Sequence, residues 1–276
     1  MSSTTQIDDA AVPTAAPAPL VRVARKHHLL VRVSHWLNVL LLTGLIVSGI
    51  SIYWASPVYQ HKPDQKTGNI DYVSDASIWI CAHVPGLHHY PSPPDWIYNH
   101  ISLGPYMLAP AMSVHWCCAY LFMLNGLVYV AGLLLGGEWR NLLPRVSDVR
   151  GSLKMARYYF GAPFAILVRR RRRIPPRFNT KYDPLQRAAY FSIPIAGLLS
   201  VLTGWAIHKP MQFSWLAALF GGFGRARVWH FWLMCTFVLF VIPHVILVFA
   251  DGWDTLRSMI TGWSTRLRYG ISTNEP

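Results

Sequence analysis

The chain has 276 residues, 53% apolar and only 13% charged, where an ordinary soluble domain carries about 25% charge. Its 12 Trp, 13 Tyr and 12 Phe exclude a disordered chain, and 19 Gly with 20 Pro are too few for a collagen-like one. A formal charge of +13 raises nucleic acid as a partner, so the placement of the basic residues has to be read along with the apolar blocks.

Residues 1–30 begin with an Ala/Pro/Ser/Thr-rich stretch holding Asp8 and Asp9, with no basic start before an apolar run. They read as a disordered tail rather than a cleaved signal. The first apolar block, 34–54, has no Asp, Glu, Lys or Arg. A long loop, 55–111, follows, with Asp64, Asp71, Asp75 and Asp95 and the helix-breaking stretch His88 to Trp96. It reads equally as a docking surface for a partner and as a cap over the end of a bundle. The second charge-free block is 112–136. The loop after it is strongly basic, contains the run Arg169 to Arg173, and includes a candidate surface helix over Ser152 to Phe160. Blocks 188–206 and 228–250 are again charge-free, separated by a short loop, and 263–276 is a second tail. Each block is long enough to cross about 30 Å of hydrocarbon as a helix. Trp36, Trp54, Trp116, Trp139, Trp205, Trp229, Trp232 and Trp253 sit near block ends, where an indole suits the boundary between water and hydrocarbon.

The expected fold is therefore an all-α integral membrane protein, a four-transmembrane-helix bundle over 31–262. Of the 25 Lys and Arg, 20 fall on the side of the two tails and the 137–187 segment. That asymmetry puts both termini in the cytoplasm. The arginine run is then a topology anchor against anionic lipid, and with no recognition module beside it no nucleic acid is expected. Cys117, Cys118 and Cys235 lie in spans and Cys81 alone in the long loop, so no structural disulfide is expected.

The spans carry no carboxylate, lysine or arginine, which argues against a proton-coupled transporter. They do carry His35, His115, His230 and His244. Any one of these could be a core histidine bonding a neighbouring helix. Together they are level-matched. His35 starts the first span at the inner side, and His115 and His230 start the second and fourth at the outer side. His244 follows His230 by 14 residues, a rise of about 21 Å and a rotation only about 40° short of four turns. His230 and His244 thus share a face at two depths, giving an outer pair His115/His230 and an inner pair His35/His244. One imidazole from each of two helices is an axial arrangement for haem iron inside a bundle. Zinc, which prefers four ligands, fits less well, although Cys117 and Cys235 are close in sequence. Gly44, Gly49, Gly197 and Gly204 would admit either a flat ring or close helix packing, and Pro243 should bend the helix before His244. Arg225 and Arg227 outside, and Arg32 and Arg187 inside, read as propionate partners or as interface anchors. Cys81, His83, His88, His89 and His100 in the outer loop match no standard metal spacing.

Four stretches carry a resemblance: Arg32 to Asn38 (RVSHWLN) entering the first span; Val114-His115-Trp116 with Ala119-Tyr120; Tyr182 to Arg187 (YDPLQR) before the third; and Trp229-His230-Phe231 with His244. Over about residues 22–262 the chain resembles the four-span, di-haem cytochrome b subunits of bacterial respiratory oxidoreductases. These are the nickel–iron hydrogenase, formate dehydrogenase and thiosulfate-reductase types of the bacterial cytochrome b-561 superfamily. The resemblance implies two non-covalent haem b groups on the same two histidine pairs, with the iron as the metal. It implies a multi-pass protein of the bacterial inner membrane that exchanges electrons between quinone and a periplasmic oxidoreductase subunit or cytochrome c, with quinone near the inner haem. Tyr182 and Arg187 are quinone candidates by position. The long outer loop departs from the plainest members and leaves open a hydrogenase, a formate dehydrogenase, a molybdenum sulfur-compound oxidoreductase or a soluble cytochrome c as partner, with its composition favouring one other than hydrogenase. The rival readings are a membrane transporter and a passive membrane anchor for a partner protein. The charge-free spans disfavour the first, and the second has no use for level-matched histidines.

Overall fold

The computed structural model describes residues 20–25, 28–65, 70–85, 93–104, 107–137, 139–169, 183–251 and 253–268. Four helices are long and apolar enough to cross a membrane: α1 (Leu29–Ala55), α4 (Leu108–Leu135), α7 (Pro184–His208) and α9 (Phe223–Asp251). Between α1 and α4 lie α2 (Tyr72–His83) and α3 (Pro93–Ile101). A short α5 (Trp139–Leu142) and α6 (Asp148–Arg169) precede α7, while α8 (Ser214–Leu219) joins α7 to α9 and α10 (Trp253–Thr261) follows. The helix expected over Ser152 to Phe160 lies within α6.

Each long helix begins before its charge-free block, and all but α4, which stops at Leu135, also run past the block's end. α1 begins five residues before Ser34, capped by the His28 ring accepting from the Leu30 amide. α7 begins at Pro184, whose fixed φ and missing N–H suit a first helical position, with Asp183 accepting from the Gln186 amide. α9 begins at Phe223 and so includes Arg225 and Arg227 in its first turns. Absence of charge finds the hydrocarbon core, whereas helices continue into the headgroup layer.

Large apolar side chains point outward along every span. Leu40, Leu127, Leu198, Leu239 and Phe249 are all exposed. A water-facing surface of this kind would aggregate, while in lipid it is the expected coat. The protein is an all-α integral membrane protein built on a four-helix bundle.

Inside the bundle the helices associate as two pairs. α1 packs along α4, and α7 along α9, with α6 lying against α7. Gly44 brings α1 against Cys118, where an added Cβ would sit 2.7 Å from the thiol sulfur. Buried Asn125 of α4 donates to the Ser34 carbonyl (2.9 Å) and to Asn38 Oδ1 (2.8 Å), tying the same two helices with polar bonds. Close backbone contact between α9 and either α1 or α4 is sparse by comparison.

Two short pieces of the segments read as tails are ordered. Leu20–Arg25 (β1) and Trp263–Arg268 (β2) form a two-stranded antiparallel ribbon, Leu20 facing Arg268. The alternation of Val and Arg in LVRVAR has the two-residue period of a strand, which a reading focused on composition passes over. Tail residues 1–19 and 269–276 lie outside the described residues.

The outer loop is tied to the bundle at its first helix. Asp71 caps α2, accepting from the Val73 amide (3.3 Å) and Ser74 Oγ (3.0 Å), and also accepts from Tyr53 Oη of α1 (2.9 Å). It is buried, so it acts as a clasp and is not available to steer a partner. Asp75 pairs with His61 at 2.7 Å. Of the stretch His88 to Trp96, expected to break a helix, residues 88–92 lie outside the described residues, whereas Pro93 to Trp96 open α3, because the first turn of a helix tolerates proline.

Candidate haem centres

The four span histidines meet as two pairs. The His35 and His244 ring centres are 6.2 Å apart, and so are those of His115 and His230. Both pairs reach across from α1 or α4 to α9, over the junction where the helix backbones make little contact. Two imidazoles that meet across a gap at each level are a donor set that would suit a haem iron held between them. Two imidazoles per level are too few for a tetrahedral zinc site, and among the described residues there is no cluster of three metal-binding side chains.

The surroundings of the pairs differ. At the outer pair, His115 Nδ1 lies 2.9 Å from Ser48 Oγ, and His230 Nδ1 lies 2.9 Å from Thr203 Oγ1. Each hydroxyl is followed by a glycine that makes room for the ring. A Cβ on Gly49 would stand 3.7 Å from His115 Cε1, and one on Gly204 would stand 3.5 Å from His230 Cε1. The Ser-Gly of α1 and the Thr-Gly of α7 thus serve the two outer imidazoles in parallel. At the inner pair, His35 Nδ1 is buried and has no hydrogen-bond partner among the described residues. Its ring stands edge-on to Trp36 at 5.5 Å, and His244 stacks on Phe240 at 5.3 Å. Pro243 lies within α9 directly before His244.

The candidate cations are largely committed to the fold. Arg187, 3% exposed, places Nη1 2.9 Å from Asp148 Oδ2, which joins the start of α7 to the start of α6. Its Nε has no partner among the described residues. Arg32 donates to the Met259 and Ile260 carbonyls of α10, and Arg227 donates to the Ser56 carbonyl. Tyr182 lies outside the described residues. In the outer loop, His83 and His100 each turn Nδ1 back to the carbonyl four residues earlier and stack on Trp79 and Trp96.

The family described as prokaryotic cytochrome b561 matches residues 26–262. The chain belongs to the prokaryotic cytochrome b561 family. It is a membrane haem b electron-transfer subunit. It is 29% identical over 237 residues to the putative protein-methionine-sulfoxide reductase subunit YedZ1 of Azospira oryzae (strain ATCC BAA-33 / DSM 13638 / PS), which covers 84% of this chain and 93% of the relative. No solved structure matches the chain.

The sequence had singled out the four histidines but missed Ser48 and Thr203. Each lies far from its histidine in the chain, by 67 and 27 residues. Within the spans a hydroxyl–glycine dipeptide occurs at Thr43-Gly44, Ser48-Gly49 and Thr203-Gly204, and only the last two serve a histidine, so the dipeptide alone does not single them out.

Proposed function

We propose that this cytochrome b561 carries two haem b groups and passes electrons across the inner membrane between quinone and an extracytoplasmic oxidoreductase. His35 and His244 would hold one haem, and His115 and His230 the other. The observation that carries this reading is the equal 6.2 Å separation of two imidazole pairs that share α9 at two depths. When bound, haem supplies a one-electron carrier at each depth. The chain's own residues do the rest: the imidazoles would hold each group between α9 and its neighbouring helix, and the apolar helices exclude water from the path. The basic asymmetry supports placing the His35 end in the cytoplasm.

The partner belongs at the end that carries α2 and α3. Tyr53 there stacks on Phe231 at 5.0 Å, next in sequence to His230, so the loop's clasp and the outer pair touch through one aromatic contact. The name of the Azospira oryzae relative supports an oxidoreductase partner over a hydrogenase, and a soluble cytochrome c is the alternative.

For quinone the reading favours the basic end. A cleft of 420 Å³ opens there between α1 and α10, lined by Arg32, Val33, Trp36, Leu37, Met259 and Ile260. It is apolar, faces the lipid side of α1, and shares Trp36 with the surroundings of His35. Arg187, the positional candidate, is buried and held by Asp148, and its unpartnered Nε is buried as well. Tyr182 stays a candidate by position.

The deciding experiment is a reduced-minus-oxidised spectrum with haem quantitation on the purified chain and its histidine variants. Two b-type haems per chain are expected. His115→Ala and His230→Ala should remove the same spectral component, and His35→Ala and His244→Ala the other. One haem per chain, or loss of the same component in His35→Ala and His230→Ala, would overturn the reading.

A further inference from the structure

The two imidazole pairs differ in what holds their second nitrogen, and the difference can be resolved to the hydrogen atom. Ser48 Oγ lies 2.6 Å from the Gly44 carbonyl as well as 2.9 Å from His115 Nδ1. A hydroxyl has one hydrogen. At 2.6 Å from a carbonyl oxygen that hydrogen must point to the carbonyl, because two oxygen lone pairs would otherwise repel. The hydroxyl therefore accepts, and His115 Nδ1 carries the N–H that donates to it, with the Leu45 carbonyl a second acceptor nearby, as the Ser200 carbonyl is for His230. Thr203 repeats the arrangement: Oγ1 donates to the Leu199 carbonyl (2.8 Å) and accepts from His230 Nδ1 (2.9 Å). Both hydroxyl side chains are fully buried. Both outer imidazoles are thereby fixed as the tautomer whose Nε2 lone pair is open to a metal. His35 Nδ1 has no such acceptor among the described residues.

We propose that Ser48 and Thr203 are positioning residues that lower the reduction potential of the outer haem by accepting a hydrogen bond from each of its two axial imidazoles. This rests on the two-haem reading above. An acceptor on Nδ1–H draws the proton outward and makes Nε2 a stronger donor. A stronger axial donor stabilises the ferric over the ferrous state. No proton leaves the imidazole when the outer site takes up or gives back its one electron, since the hydroxyl's own hydrogen stays on the helix carbonyl. The inner pair has no matching pull on His35, so the hydroxyls act at one end of the electron path only.

The test is a potentiometric titration of the full chain in native membranes, followed by its haem absorbance. The outer component is assigned as the one missing in His115→Ala. Ser48→Ala and Thr203→Val should each shift the one-electron reduction equilibrium of that component toward the ferrous form by about threefold, ~28 mV at 59 mV per tenfold. The inner component should stay in place and the double variant should shift further. Ser48→Thr and Thr203→Ser, which keep the acceptor, should restore the wild-type potential. Two haems with an unmoved outer potential would overturn the proposal, as would equal movement of both components or loss of the outer haem in place of a shift. A chain with a single haem would overturn the two-haem reading itself, an outcome distinct from these.

Discussion

Gly44 sits where the absence of a side chain matters most. A Cβ there would come within 2.7 Å of the Cys118 sulfur, closer than real contacts allow, on the tightest helix pair of the bundle. Gly44→Ala should lower stability by about 1–3 kcal/mol through overpacking, and Cys118→Ala in the same chain should restore most of it. Thermal unfolding in detergent, followed at the haem absorbance, reads both. Gly204 makes the contrast, since a Cβ at 3.5 Å from His230 Cε1 is ordinary contact. Gly204→Ala should keep both spectral components, whereas Gly204→Leu should cost the outer one. At this scale the sequence was half legible. A histidine in a charge-free span announces itself because few other side chains there can bind a metal. A serine or threonine does not, because the same side chain most often bonds its own helix, as Thr43 does to the Val39 carbonyl.

Elements are joined here by a few buried polar contacts, and these set what breaks when one is cut. Arg187 and Asp148 tie α7 to α6 with both side chains nearly out of reach of solvent. Removing one partner strands a buried charge, so Arg187→Ala and Asp148→Ala should each cost roughly 3–5 kcal/mol. The joint variant should cost much less than their sum, which a double-mutant cycle measures. Asp71 plays a lighter part at the other end. Asp71→Ala removes the α2 cap and the Tyr53 acceptor together, worth about 1–2 kcal/mol. Faster proteolysis between residues 57 and 75, with both haems retained, is the expected outcome. Neither tie could be read from sequence. Asp148 and Arg187 are 39 positions apart with the basic run between them, and nothing in the sequence distinguishes the one arginine that turns inward onto Asp148 from the others of that segment. The spans themselves were fully legible, because a charge-free block of about 20 residues has few other uses. Their ends were not, since Arg225, Arg227 and Arg32 are helical residues that a charge criterion places outside.

For the whole molecule, four spans put both termini on one side of the membrane, and the β1–β2 ribbon brings the two ends of the chain together there. A reporter fused after Pro276 should be active only in the cytoplasm, and a tag inserted near Ser92 should react only from the other side. Labelling in intact cells against lysed ones decides it. The number of spans was legible in the sequence, while the side on which the termini lie rests on charge asymmetry, a sum over 25 residues that survives the misreading of any one of them.

α9 carries one imidazole of each pair, while α1 and α4 carry one apiece. A single rod is therefore the ruler for both sites, and its gradations are helical. His244 sits about 40° short of the His230 face, and removing one residue between them would widen that to about 140°. Inserting four residues aligns the face at about 27 Å, and deleting three does so at about 16–17 Å, while most spacings between these aim the rings about 100° or more apart. The separation of the two imidazole pairs is thus available only in coarse notches of about a helical turn or more.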